Sequence, residues 1–249
     1  MKISVITVCY NSAMTIGETL RSVAKQSHRS LEHIVIDGES QDATLQIIEA
    51  TPNRVTHLVS EPDHGIYDAM NKGLKLASGE IVCFLNADDV YSHENVLERV
   101  SQAMELDRLD ALYADAEFIN FDHPNRPLRR YSSAHFHPSR IAWGWMPAHP
   151  TLFLKRTLFE RYGCFRCEYQ IAGDFELVAR MFHRSPLRYR YVAEVLVRMR
   201  AGGISTGGWR NTILLNKEVL LACKANGIKT NLFMILSKYP RKIVEFIRS

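Results

Sequence analysis

The chain contains no apolar run that reaches the roughly 18 residues of a membrane-spanning helix. It has no Asn-x-Ser/Thr sequon, and its opening, MKISVITVCYN, has one lysine and too short an apolar run before Asn11 for a secretory leader. Cysteines number only five, and Cys9 and Cys83 lie inside apolar runs, as reduced core thiols do. These absences set the expectation of a reducing, cytoplasmic setting. The Cys164 and Cys167 pair has no second pair to close a tetrahedral zinc site with it. The phosphate motifs G-x-G-x-x-G and the P-loop are also missing, because GGISTGG (202–208) lacks the lysine. That excludes a Rossmann dehydrogenase and a P-loop kinase.

Over most of the chain there is no excess of either charge. From Lys229 onward five basic residues face Glu245 alone, an excess that equals the +4 of all 249 residues. The body is close to neutral, whereas a general nucleic-acid binder spreads basic residues over a docking face.

What is present is a repeating pattern. ISVITVC, HIVID, THLVS and EIVCFL read as strands. The stripes Ile16, Leu20, Val23, then Leu45, Ile47, Ile48, then Ile66, Met70, Leu74, Ala77 read as the helices between them. Strand and helix in alternation predict an α/β fold with a mostly parallel central sheet flanked by helices. Ligands of such sheets bind outside the carboxyl ends of the strands. Those ends carry Tyr10 and Asn11, then Asp37, Gly38, Glu39 and Ser40, then Glu61 and Asp63, then Asn86, Asp88 and Asp89. Asp and Asn also serve turns and helix caps, and Ser40 reads first as a cap. Four strand ends loaded alike point to one crevice that suits a hard divalent cation, Mn²⁺ or Mg²⁺, bound with a phosphorylated ligand.

The second half is less regular. ALYAD, EFINF and TLFLK read as strands, and 155–162, 174–183 and 208–226 as helices. Between Pro124 and Arg140 there is no acid, but there are Arg126, Arg129, Arg130, Arg140, His135 and His137, a loop suited to anions or a solvated basic surface.

The ordered set VITVCYN, VIDGESQDAT, SEPDHGIYDAMNKGLKLASGE, FLNADD, HPTLFLKR and IAGDFELVARM resembles the family 2 glycosyltransferases of the GT-A fold, in their bacterial surface-polysaccharide branch. The resemblance runs from residue 3 to about 205, with a nucleotide-binding half to about 109, an acceptor half from about 110, and a basic helical tail over 206–249. It implies an inverting enzyme that moves a sugar from a nucleotide-diphosphate sugar, often a UDP-sugar, to a hydroxyl of a lipopolysaccharide, exopolysaccharide or capsule precursor.

Carried over residue by residue, it places Asp88 on the metal and Asn86 at the first position of the D-x-D element, where the family usually has Asp. Asp89 would orient Asp88 or cap the next helix. The donor site would take in Val8, Tyr10, Asp37, Glu39, Asp63, Asn71, Lys72 and Ala87, with Gly38 where many members have a second acid. Asp174 would be the base and His149 a contact to diphosphate or metal. Arg129 and Arg130 would face acceptor or phosphate. Read from residues alone, Asp174 is also a helix cap and His149, between prolines, also a packed loop residue. The tail NLFMILSKYPRKIVEFIRS suits an amphipathic element on the anionic inner-membrane face or a helix docked on the domain. A glycoside hydrolase with paired carboxylates and a non-catalytic sugar-nucleotide-binding or scaffold module are the competing readings.

Overall fold

The computed structural model describes residues 1–120, 127–201 and 208–237. The run rich in β-branched residues, Ile3–Cys9 (β1), is buried along its whole length because it is paired and covered on all sides. It lies parallel between Leu31–Asp37 (β2) and Ile81–Phe84 (β4), and β2 continues to the edge strand Val55–Ser60 (β3). Helices Ile16–Ala24 (α1), Thr44–Ala50 (α2) and Ile66–Leu76 (α3) connect them.

Alternate residues of one strand serve opposite layers. Ile34 and Ile36 pack with Met70 and Leu74 of α3, while Val35 packs with Ile16, Leu20 and Ile48 of α1 and α2. Each such fully buried side chain is worth about 1.5–3 kcal/mol. Register then aligns the strand ends, since Cys9 stands opposite Asp37 and Asp37 opposite Ser60.

The sheet continues past β4 in the order β3-β2-β1-β4 and then Phe153–Lys155 (β8), Ala111–Ile119 (β6), Tyr189–Arg200 (β9) and Val90–Tyr91 (β5), with Pro127–Tyr131 (β7) beside the far end of β6. β6 and β9 are parallel, so parallel register accounts for most of the pairing; β8, β7 and β5 add antiparallel pairs. ALYAD and EFINF form one strand, β6, as far as Ile119. The region expected as a basic loop contains β7. β9 lacks clean alternation because its register against β6 shifts around Asp115.

Helices Val96–Leu106 (α4), Arg156–Tyr162 (α5), Gly173–Arg184 (α6), Trp209–Ala225 (α7) and Leu232–Leu236 (α8) complete the chain. Val219, Ala222, Cys223, Ile228 and Ile235 share the core with α3 and α6, so 208–237 is joined to the domain. The remainder of the tail, with Lys238, Pro240, Arg241, Lys242 and Arg248, lies outside the described residues, as do Arg126 and the glycines of 202–207.

Candidate active site

At the ends of β1 and β2 the chain is held in an unusual shape. Asn11 and Glu39 both have left-handed backbone (φ 48° and 64°), a conformation that costs free energy in non-glycine residues and collects at functional sites. The two turns are tied together. The Asn11 N–H donates to Ser40 Oγ (2.8 Å), and the Gln41 N–H donates to Asn11 Oδ1 (2.9 Å). Asp37 is fully buried, and its carboxylate accepts from the Ser40 N–H, the Ser40 hydroxyl and the Ser60 hydroxyl, which joins the ends of β2 and β3.

Above it, Tyr10 is 62% exposed. Glycine at 38 leaves room for the Asp63 carboxylate: a Cβ there would stand 2.4 Å from Asp63 Oδ2, which would have to shift, and 3.5 Å from the Tyr10 ring. An exposed ring and the Asp63 carboxylate thus meet over Gly38. Val8 and Ala87 have core side chains, so only their main chain can face a ligand.

At the end of β4 the polar turn starts with a vacancy of hydrogen bonding. Asn86 Oδ1 is buried and has no partner among the described residues. Burial holds the Asp88 carboxyl above its usual range, against its own backbone N–H and the positive charge of Arg200. Asp89 is raised further, by burial and then by the charge of Asp88, with Arg200 again opposing. Asp89 does not cap the following helix, since α4 starts only at Val96. Arg200, at the end of β9, is buried and also pairs with Glu18 of α1. It is the residue of this cluster that sequence reasoning missed, because nothing local in VRMR tells which carboxylates lie beside it.

The donor set fits a hard cation: one buried carboxyl whose desolvation a positive charge would offset, and one orphaned amide oxygen. No group of three or more His, Cys, Asp or Glu converges as a cation site among the described residues, so other ligands must come from substrate and water.

Asp174 is half-buried at the start of α6. Burial raises its carboxyl; the His149 charge, the Phe175 N–H (2.7 Å), its own N–H and the Tyr67 hydroxyl lower it. Burial in turn lowers His149, and Asp174 opposes that. The His149 ring stacks on Phe84 (centroids 5.5 Å, 22°) and meets Phe165 edge-on (6.0 Å). Phe84 is the last residue of β4, two before Asn86, so one strand end carries both the polar turn and the His149 face. Gly173 lets the helix start lie on Tyr67, whose ring would be 2.6 Å from a Cβ.

Other expected residues have different work. Asn71 clamps Phe165, donating to its carbonyl (2.9 Å) and accepting from its N–H (2.9 Å). Lys72 donates to the Pro62 carbonyl (2.6 Å) and pairs with Glu61 (2.9 Å), which shapes the turn after β3. Arg130 pairs with the buried Asp115 (2.7 Å), and Arg129 lies over the Phe118 ring (4.8 Å). His137 accepts from the Ser139 N–H, and Arg140 donates to the His135 carbonyl, so these basic residues also support local structure. Glu39 is exposed at its turn. Cys164 and Cys167 are free thiols.

The model of glycosyl transferase family 2 matches residues 4–189. The chain belongs to that family. A PGL/p-HBAD biosynthesis glycosyltransferase of Mycobacterium bovis (strain BCG / Pasteur 1173P2) is 31% identical over 223 residues, covering 87% of this chain and 82% of that protein. The Escherichia coli UDP-Glc:alpha-D-GlcNAc-diphosphoundecaprenol beta-1,3-glucosyltransferase WfgD is 34% identical over 119 residues, 47% of each chain.

Among solved structures, S. aureus TarS 1-349 in complex with UDP-GlcNAc superposes with a TM-score of 0.70 at 21% identity, over 89% of this chain and 66% of that one. The mannosyltransferase PcManGT from Pyrobaculum calidifontis, in complex with GDP-Man and Mn²⁺, gives 0.62 at 20% identity over 94% and 68%. The family 2 glycosyltransferase thus has the α/β architecture that its strand and helix pattern predicted, in the GT-A type of fold that the resemblance implied.

Proposed function

We propose that this family 2 glycosyltransferase moves a sugar, with inversion, from a UDP-sugar to a hydroxyl of a lipid-linked or surface glycan precursor. The observation that carries the reading is the presence around the end of β4 of two carboxyl groups that burial raises: Asp88, two residues after the orphaned Asn86 oxygen, and Asp174, which faces the charge of His149 stacked on the Phe84 ring.

The Tyr10 ring and the Asp63 carboxylate over Gly38 receive the base and ribose, with Asp37 holding that turn in shape. Asp88, with Asn86, would hold Mn²⁺ or Mg²⁺, which would supply positive charge for the departing diphosphate. Asp174 accepts the proton of the acceptor hydroxyl as its oxygen bonds to the anomeric carbon and the bond from that carbon to the diphosphate breaks; UDP leaves. A carboxyl raised by burial is a stronger base than an exposed one, which suits that task. UDP is the favoured nucleotide because the relative WfgD is a UDP-Glc-using glucosyltransferase and TarS, of similar fold, forms a complex with UDP-GlcNAc. An acceptor on a lipid would place the enzyme at the cytoplasmic face of the inner membrane, a location supported by the basic tail and by the exposed Leu232, Phe233 and Leu236 of α8. No helix among the described residues is long and apolar enough to cross a membrane.

Asn86 and Gly38, where the family usually has acids, favour a second reading: a non-catalytic sugar-nucleotide-binding or scaffold module. One experiment separates them. UDP-glucose, UDP-N-acetylglucosamine and GDP-mannose are titrated by calorimetry with and without Mn²⁺, and turnover is read as released nucleotide. Mn²⁺-dependent UDP-sugar binding is expected, with Asp174→Asn lowering turnover about 10²–10⁴-fold at unchanged donor affinity. Binding without turnover in the wild-type protein supports the module, and no binding overturns both.

A further inference from the structure

Glu218 lies on the buried face of α7, remote in sequence from every strand end. Its carboxylate accepts three successive backbone N–H groups, those of Gln170 (2.8 Å), Ile171 (2.9 Å) and Ala172 (2.8 Å). Such charge-assisted bonds are about twice as strong as neutral ones, and here they converge on a side chain with 5% exposure. The segment they hold runs directly into Gly173 and Asp174. From the other side the Tyr67 hydroxyl donates to the Ile171 carbonyl (2.7 Å), and the Ala172 carbonyl accepts from the Glu176 N–H (2.9 Å) to start α6. The clamp therefore ends one residue before the helix and two before the proposed base.

We infer that Glu218 is a positioning residue for Asp174: it fixes the height and rotation of the first turn of α6, so that the carboxylate meets the acceptor hydroxyl. This rests on the reading of Asp174 as the base. A displacement of about 1 Å in a reacting group can cost on the order of 100-fold in rate. Glu218 works through the backbone, since the groups that act on the Asp174 carboxyl are His149, Tyr67 and local N–H donors. Helix α7 has independent attachments: Val219, Ala222 and Cys223 in the core, and the Asn226 amide donating to Glu176 (3.1 Å). Weakening the clamp thus leaves the helix in place.

The test is a double-mutant cycle on the full chain, with UDP-glucose and UDP-N-acetylglucosamine as donors in the presence of Mn²⁺ and turnover read as released UDP. Glu218→Gln keeps the shape but turns an amide N–H₂ toward N–H donors. It is expected to lower kcat 10- to 100-fold with the donor KM within twofold, and to cause no further loss in the Asp174→Asn background. Should the Gln variant not fold, Glu218→Asp, which keeps the charge and withdraws it by one methylene, is measured in the same cycle. Equal losses in both backgrounds, or an unchanged kcat in a folded variant, overturn the positioning role alone. If Asp174→Asn by itself leaves turnover intact, the base assignment falls and takes the positioning role with it.

Discussion

Two clusters of buried acids, at opposite ends of the parallel sheet, behave in opposite ways. At the amino end, Glu32 of β2 is nearly inaccessible, yet its carboxylate accepts from Ser4 Oγ (2.5 Å), the Ser78 N–H (2.6 Å), the Ser78 hydroxyl (2.7 Å) and the Gly79 N–H (3.0 Å), and it pairs with Lys2 (2.5 Å). Burial opposes its ionisation, but these partners win and bring it down to about 2. At the carboxyl end the same burial wins over Arg200, and Asp88 and Asp89 are raised while Asn86 Oδ1 has no partner among the described residues. The Glu32 cluster is satisfied within the chain, as Asp37 is at the end of β2. The turn after β4 is left wanting a further positive partner, which is how a binding site differs physically from a structural cluster.

The largest effect expected from that contrast is on stability. Glu32→Gln leaves too few acceptors for the Ser78 and Gly79 donors and should cost roughly 3 kcal/mol in urea denaturation, with UDP affinity unchanged. Because its folded carboxyl lies below the usual value of 4.5, its stabilisation is complete above that pH and is lost as pH falls toward about 2. The variant should lack this acid-dependent loss. A variant as stable as wild type would break the contrast.

The opposite sign is expected at the other end. Folded Asp89 holds its proton to higher pH than the unfolded chain does, so its contribution falls as pH rises above the ordinary carboxylate range. Asp89→Asn should therefore stabilise the ligand-free protein by about 1 kcal/mol at neutral pH, a gain that closes at acid pH where both states are protonated. A destabilised variant at pH 7 would show that Arg200 compensates this end after all.

The smallest effect on stability is on the nucleoside side. Gly38→Ala must push the Asp63 carboxylate aside. About tenfold weaker UDP binding is expected from calorimetry, some 1.4 kcal/mol, with little change in Tm. Unchanged affinity would remove Asp63 from the donor site.

Much of this was legible in the sequence, and the limits have a physical cause. The four parallel strands, their polar ends and the helices between them follow from local periodicity. Asn71 and Lys72 were legible as helix residues but not in their tasks, because the partner of Asn71 is Phe165, 94 positions away. Arg200 meets Glu18 across 182 positions, and Glu218 meets Ala172 across 46. Such pairings are set by how layers stack, which no window of sequence reports. Strand β9 was hidden by its own register shift.

Tyr67 and Asn71 stand one turn apart on α3, and both hold the segment that leads to Asp174, at Ile171 and at Phe165. Helix α3, which packs on the parallel strands, and the segment that leads to the proposed base are therefore tied together, and the stacked Tyr67 and Phe165 rings add to the tie. Any motion that parts them must break these hydrogen bonds and that stack, so on the proposed function the spacing of donor strands and base is carried by α3.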